Sequence, residues 1–203
     1  MNSSGLHIAF GPMFSGKTTW LSLNLTTCAD VGLKVCLINH EDDVRVTEGG
    51  DGKITTHSSQ FKYLSHKIDS YRFKNLQLSN LFDQYDVIGI DEGQFFDNKL
   101  ANGVPEIVQV VRDLVLKKKK TVFIASLDGD FRAQPFGHVK ELLCLCDPGG
   151  LTKLGAKCMK CLKEHKLVNA GFTARTVNAK TDEVKDVGGS DKYMAVCLDC
   201  FRA

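Results

Sequence analysis

The sequence has no stretch of about 18 consecutive apolar residues, so no membrane-spanning helix and no membrane partner are expected. Its first residues, MNSSGLHIAF, lack the basic segment and long apolar run of a secretory signal. Strand-like sequence begins at Leu6 and leaves little room for a leader, so a cytoplasmic location is expected. Charge of one sign is also missing: 26 basic against 24 acidic residues give a net charge of +2. That balance carries no electrostatic footprint of a nucleic-acid binder, and no nucleic-acid partner is expected. Neither an internal repeat nor a low-complexity tract is present.

What remains is ordinary globular composition, 43% hydrophobic and 25% charged over 203 residues. Such a chain can bury a core without covalent staples. Apolar runs at 6–10, 34–40, 86–92 and 121–128 read as strands. Helical patterns follow at 16–30, stopped by Gly32, and at 104–120, with Pro105 near its start. Strands alternating with helices imply an α/β fold with a mostly parallel sheet covered on both faces. Residues 41–60 are polar and glycine-bearing and read as a long loop, a length that is usually functional or mobile. The pattern changes near Asp147-Pro148-Gly149-Gly150, which divides the chain into units 1–149 and 150–203.

Gly11-Pro12-Met13-Phe14-Ser15-Gly16-Lys17-Thr18 fits G-x-x-x-x-G-K-[ST] in full, between an expected strand and an expected helix. In that context backbone N–H groups surround phosphate oxygens, Lys17 reaches the outer phosphates and Thr18 offers a hydroxyl to Mg²⁺. Asp91 and Glu92 end the run Val87-Ile88-Gly89-Ile90, where strand ends of a parallel sheet meet a ligand crevice. An Asp there can hold the magnesium shell, and a neighbouring Glu can orient or deprotonate a nucleophile. A solvated acidic turn is the plainer alternative.

Of eight cysteines, Cys28, Cys36, Cys144 and Cys146 lie in apolar surroundings and read as buried small hydrophobes. Cys158, Cys161, Cys197 and Cys200 form two C-x-x-C pairs suited to a closed, structural Zn²⁺ site that ties off residues 162–196. Three features keep two readings each. Phe95, Phe96, Phe131 and Phe136 are core residues or stacking surfaces for a flat base. Arg45 is a surface residue or a phosphate-facing cation. Lys117 to Lys120 bind phosphates or form the solvated end of a helix. The six histidines show no ligand spacing.

Several stretches taken together carry a resemblance: GPMFSGKTT, VIGIDEGQFF, LDGDFRAQPFG, CMKC and VGGSDKY, in that order. From about Leu6 to Phe201 the chain resembles the type II thymidine kinases. The resemblance implies a RecA-like P-loop parallel sheet with helices on both faces, followed by a small zinc-ribbon-like domain with a lasso loop. It implies transfer of the ATP γ-phosphoryl group to the 5′-hydroxyl of thymidine or deoxyuridine, with Glu92 as general base and Lys17 and Arg45 assisting. ATP and Mg²⁺ would be held by residues 11–18, by Asp43, Val44 and Arg45, and by Asp91, Glu92, Gly93 and Gln94. Met13, Phe95, Leu127, Phe131, Phe136, Thr173 and Tyr193 would line the nucleoside pocket. Val184, Lys185, Asp186, Val187 and Gly188 would read the base edge through their backbone. Members are typically homotetramers restrained by dTTP. Three departures stand out: T-H-S-S near residue 57 in place of T-H-D, Asp130 and Ala133 within LDGDFRAQPFG, and a longer segment after Cys161.

Two other functions share parts of this pattern. A zinc-ribbon P-loop ATPase acting on nucleic acid needs a basic groove and a second motor domain, which the chain lacks. A GTP switch reads guanine with N-K-x-D, and Asn98-Lys99-Leu100-Ala101 lacks the aspartate. An inactive relative would lack catalytic matches that are all present here.

Overall fold

The computed structural model describes residues 4–42, 68–77, 80–176 and 191–203. Six strands, β1 (Gly5–Gly11), β2 (Val35–His40), β3 (Ile68–Phe73), β4 (Val87–Ile90), β5 (Thr121–Leu127) and β6 (Leu151–Lys153), form one sheet in the order β3-β2-β4-β5-β1-β6. Every pairing is parallel. The α/β fold expected from the alternation is therefore the observed one.

The inner strands are apolar at nearly every position because both faces of the sheet are covered. Helix α1 (Lys17–Asp30) sets Leu21, Leu25 and Ala29 against Val35, Leu37, Val87 and Phe123. Helix α2 (Glu106–Arg112) runs into a π-helical turn, Asp113–Lys117. Together they press Ile107, Val111 and Leu114 onto Leu6, Ile8, Ile38, Ile90 and Ile124. Each fully buried Leu or Ile contributes roughly 1.5–3 kcal/mol. Alternate residues of one strand serve the two faces: Leu37 meets α1 and Ile38 meets α2.

Two strands of this sheet lie outside the expected set. β3 carries Asp69 and Arg72 on an exposed edge, so its sequence lacks the apolar run of its neighbours. A hydrogen-bonded chain fastens it: the Tyr85 hydroxyl donates to Asp69 at 2.6 Å and lies 2.5 Å from the Tyr71 hydroxyl. Burial, then the bonds to Asp69 and Tyr71, hold the Tyr85 phenol far above its usual range. β6 has only three residues, and it pairs with β1 just beyond the division placed after Gly149.

The helix expected over 104–120 is shorter, and its last turn widens into the π-helical form. Its lysine run is tied down there: Lys117 pairs with Asp113 at 2.7 Å, Lys118 with Asp83 at 2.6 Å, and Lys120 donates to the Asp83 carbonyl at 3.0 Å. Cys144 corrects another expectation. It is exposed, because the 3₁₀ turn Val139–Leu145 buries Val139 and Leu142 instead.

Beyond the sheet, β7 (Ala156–Lys157) pairs with β8 (Asn169–Ala170), and β9 (Phe172–Arg175) pairs with β10 (Tyr193–Val196), both antiparallel. Short helices α3 (Met159–Lys163) and α4 (Leu198–Arg202) complete this part. Its core is made of small residues: Ala156, Cys158, Ala170, Ala195, Val196 and Cys197. Among the described residues no helix is long and apolar enough to cross a membrane.

Candidate active site

The carboxyl ends of β4, β5 and β1 lie side by side, and the residues singled out by sequence collect there. β1 ends at Gly11 and the chain turns through residues 12–16 into α1. The turn passes through the left-handed region twice, at Phe14 (φ 62°) and Gly16 (φ 81°). Gly16 adopts it without a Cβ penalty. Gly16 is the N-cap residue of α1, and the first N–H groups of a helix are the usual basis of anion binding. The Ser15 hydroxyl and the Lys17 ammonium both donate to the Pro12 carbonyl, at 2.8 and 2.7 Å, and draw the loop into a closed ring.

Across the crevice, the Thr18 hydroxyl donates to Asp91 Oδ2 at 2.9 Å, and the other Asp91 oxygen accepts the Glu92 N–H at 3.0 Å. Thr18 offers a hard hydroxyl oxygen as a direct ligand, and Asp91, within hydrogen-bond reach of it, offers a carboxylate to the ion's water shell. Thr18 and Asp91 therefore fit a magnesium ion. Asp91 and Glu92 are both buried, at 4% and 6% exposure. Glu92 itself is left-handed, with φ 49° and ψ 44°. Such a conformation in a non-glycine residue costs on the order of 1–3 kcal/mol and is concentrated at functional sites.

Gln94 stands within the 3₁₀ turn Gly93–Phe95 and is completely buried. Its amide nitrogen donates to Glu92 Oε2 at 2.5 Å. Its amide oxygen accepts from the Ser126 hydroxyl at 3.1 Å and from the Leu127 N–H at 2.9 Å. Gly137 (φ 66°) lies so close that a Cβ there would come within 2.6 Å of the Gln94 backbone.

One strand away, Asn39 occupies the β2 position beside Asp91, on the α1 side of the sheet. Its side-chain nitrogen and oxygen are buried without a hydrogen-bond partner among the described residues.

The aromatic and polar residues expected to hold a nucleoside are connected by contacts. Phe95 meets Phe136 edge to face, with centroids 5.9 Å apart. The Met13 N–H donates to the Thr173 hydroxyl at 3.0 Å, which joins the loop after β1 to β9. β9 and β10 pair Arg175 with Tyr193. The Arg175 guanidinium lies 3.6 Å from the Phe131 ring centroid and 6.0 Å from that of Tyr193, a cation–π arrangement. Asp130, a departure noted in the sequence, caps the turn that carries Phe131. Its Oδ1 accepts the N–H groups of Arg132 at 2.8 Å and Gln134 at 2.9 Å. Asp43, Val44, Arg45 and residues 184–188 lie outside the described residues.

Sequence patterns passed over Asn39, Ser126 and Arg175. Arg175 had a usable signal, since it stands two residues after Thr173 and so shares its face of the strand. Asn39 and Ser126 had none, because each is a lone polar residue inside an apolar strand.

The two C-x-x-C pairs each straddle the start of a short helix, Cys158 and Cys161 at α3, Cys197 and Cys200 at α4. All four sulfurs lie within 4.8 Å of one another. Cys161 is 3.6 Å from Cys200 and 3.8 Å from Cys197. A tetrahedral Zn²⁺ with Zn–S bonds of about 2.3 Å places its sulfurs about 3.8 Å apart, so the cluster fits that ion. Burial opposes a thiolate at Cys158, but the N–H groups of Cys161 and Cys197 outweigh it and bring the thiol down to about 6. Cys161 moves the opposite way, chiefly through its hydrogen bond to Cys158.

Comparison with known proteins gives the same picture over the whole length. The thymidine kinase family model matches residues 4–201. Thymidine kinase 1 of Dictyostelium discoideum is 37% identical over 199 residues, 98% of this chain and 78% of that protein. The thymidine kinase of Fowlpox virus (strain NVSL) is 36% identical over 204 residues, 99% of this chain and 98% of its own. That of Myxoma virus (strain Uriarra) is 33% identical over 202 residues, covering 99% and 98%. The match runs from before β1 into α4 and so takes in every strand of the described fold, and the chain belongs to the thymidine kinase family.

Proposed function

We propose that the protein phosphorylates thymidine, and deoxyuridine, at the 5′-hydroxyl with ATP as donor, giving the monophosphate for nucleotide salvage. The observation that carries this reading is the buried Glu92 carboxylate, held one residue from the acid that engages Thr18. It puts a proton acceptor next to the phosphate grip at the carboxyl edge of the sheet.

Glu92 accepts the proton of the 5′-hydroxyl while that oxygen attacks the γ-phosphorus. The bond from phosphorus to the β–γ bridging oxygen breaks, and ADP leaves with the electron pair. Lys17 and the N–H groups opening α1 balance the charge on the phosphate oxygens, with Arg45 as a further cation. Thr18 directly, and Asp91 through the water shell, would hold Mg²⁺, which would supply charge neutralisation for the phosphate oxygens. Met13, Phe95, Leu127, Phe131, Phe136, Thr173 and Tyr193 enclose the base. Residues 184–188 read its edge, and closure over it keeps water from competing for the phosphoryl group. The cysteine cluster holds a structural Zn²⁺ that anchors the unit from about residue 150. The same reading includes a homotetramer in the cytoplasm, inhibited by dTTP.

The test is a transfer assay with labelled ATP against a panel of nucleosides, with single-stranded DNA as a further arm. Thymidine-dependent product is expected. ATP turnover stimulated by DNA and indifferent to thymidine would replace this reading with that of a nucleic-acid ATPase. Glu92→Gln is expected to bind ATP normally and to lose at least about a hundredfold in turnover, the scale of a lost general base.

A further inference from the structure

We infer that Gln94 is a positioning residue for Glu92: its amide fixes the carboxylate for proton transfer and ties it to the wall of the nucleoside pocket. The inference rests on Glu92 being the general base.

The orientation of the Gln94 amide follows from its partners. The backbone N–H of Leu127 can only donate, so the group 2.9 Å from it must be the amide oxygen. The Ser126 hydroxyl, which shares its one proton between that oxygen at 3.1 Å and the Leu127 carbonyl at 3.0 Å, is consistent with the same orientation. The amide NH₂ is thereby forced toward Glu92 Oε2, at 2.5 Å. The side chain of Gln94 is thus committed to Glu92 and β5.

This arrangement has a purpose that burial alone does not supply. Glu92 is held in a left-handed conformation by a turn three residues long, a poor support for an aimed carboxylate. Geometric control of this kind matters steeply, since small misplacements of a catalytic group cost large factors in rate. The anchor is also well chosen. Leu127 is among the residues proposed to enclose the base, and the loop bearing Phe131 and Phe136 returns through Gly137 directly onto Gln94. The residue that aims the base therefore touches both walls that receive the sugar and the pyrimidine.

Two substitutions separate this role from packing. Gln94→Leu keeps the bulk but removes the donor to Glu92 and the acceptor for Leu127. We expect kcat to fall about tenfold to a hundredfold, with KM for ATP and thymidine within about threefold of the parent. Gln94→Glu keeps the shape and the acceptor. It can donate to Glu92 only while the two carboxyls share one proton, because like charges so close do not ionise together. Its turnover is expected to be nearest the parent at acid pH and to fall as pH rises and the shared proton leaves, a profile the parent does not have. If Gln94→Leu fails to fold, the Gln94→Glu profile still decides.

Glu92→Gln is assayed beside them. Should Glu92→Gln be inactive while Gln94→Glu keeps the parent's pH profile, scaled or not, the positioning role is overturned and the base assignment survives. Should Glu92→Gln retain turnover, the base assignment itself falls.

Discussion

Glu92 and Asn39 show how single residues at this crevice are held at a cost to stability. Glu92 is left-handed where most residues are not, and Asn39 buries an amide with no partner among the described residues. A buried polar group without a hydrogen bond costs about 1–3 kcal/mol. Asn39→Leu, close to it in size, removes that cost. In a domain of this size 1 kcal/mol shifts the melting midpoint by about 2–4 °C. Calorimetry of the ligand-free variant is expected to show a rise of a few degrees, and a fall would mean that the amide is satisfied in solution. Stability gained at such a position commonly comes with lost function.

At the scale of elements, the turn between β5 and the 3₁₀ segment Val139–Leu145 is the piece most dependent on one side chain. Asp130 accepts two backbone N–H groups, and Ala133 within the same turn sits at φ 56°. Asp130→Ala leaves those donors to solvent and loosens Phe131. We expect a loss of about 1 kcal/mol in stability and a several-fold rise in KM for thymidine, with KM for ATP little changed. Equal effects on both KM values would show that the turn serves the fold alone.

The same scale explains what was legible in the sequence. β1, β2, β4 and β5 were, because burial on both faces requires continuous apolar runs. α1 was, because a glycine-bounded loop opens it and Gly32 closes it. β3 was not, since an edge strand is asked for little more than Tyr71 and its neighbours on one side. β6 is too short for any period to register. In the site, the motifs that are contiguous in the chain stood out: residues 11–18, Asp91-Glu92 and the cysteine pairs. Gln94 was picked out with the acids, but its direction depends on Ser126 and Leu127, which only the fold brings near. Arg175 against Phe131 is a tertiary contact of the same kind.

On the scale of the whole molecule, the sheet and the cysteine-bound part meet at the phosphate loop. β9 reaches Met13 through Thr173, and its partner β10 leads straight into Cys197. The buried core of that part is made of alanines, cysteines and one valine, so a metal bound by the four cysteines would contribute much of its stability. Treatment with a strong zinc chelator is expected to open residues 151–203 to limited proteolysis and to weaken ATP binding as well. Proteolysis without any change in nucleotide affinity would show that the two parts act independently. Because the Thr173 hydroxyl accepts the Met13 N–H, an oxidant that joined the four sulfurs into disulfides is expected to be felt at the far end of β9, as a loss of turnover that a thiol reductant restores.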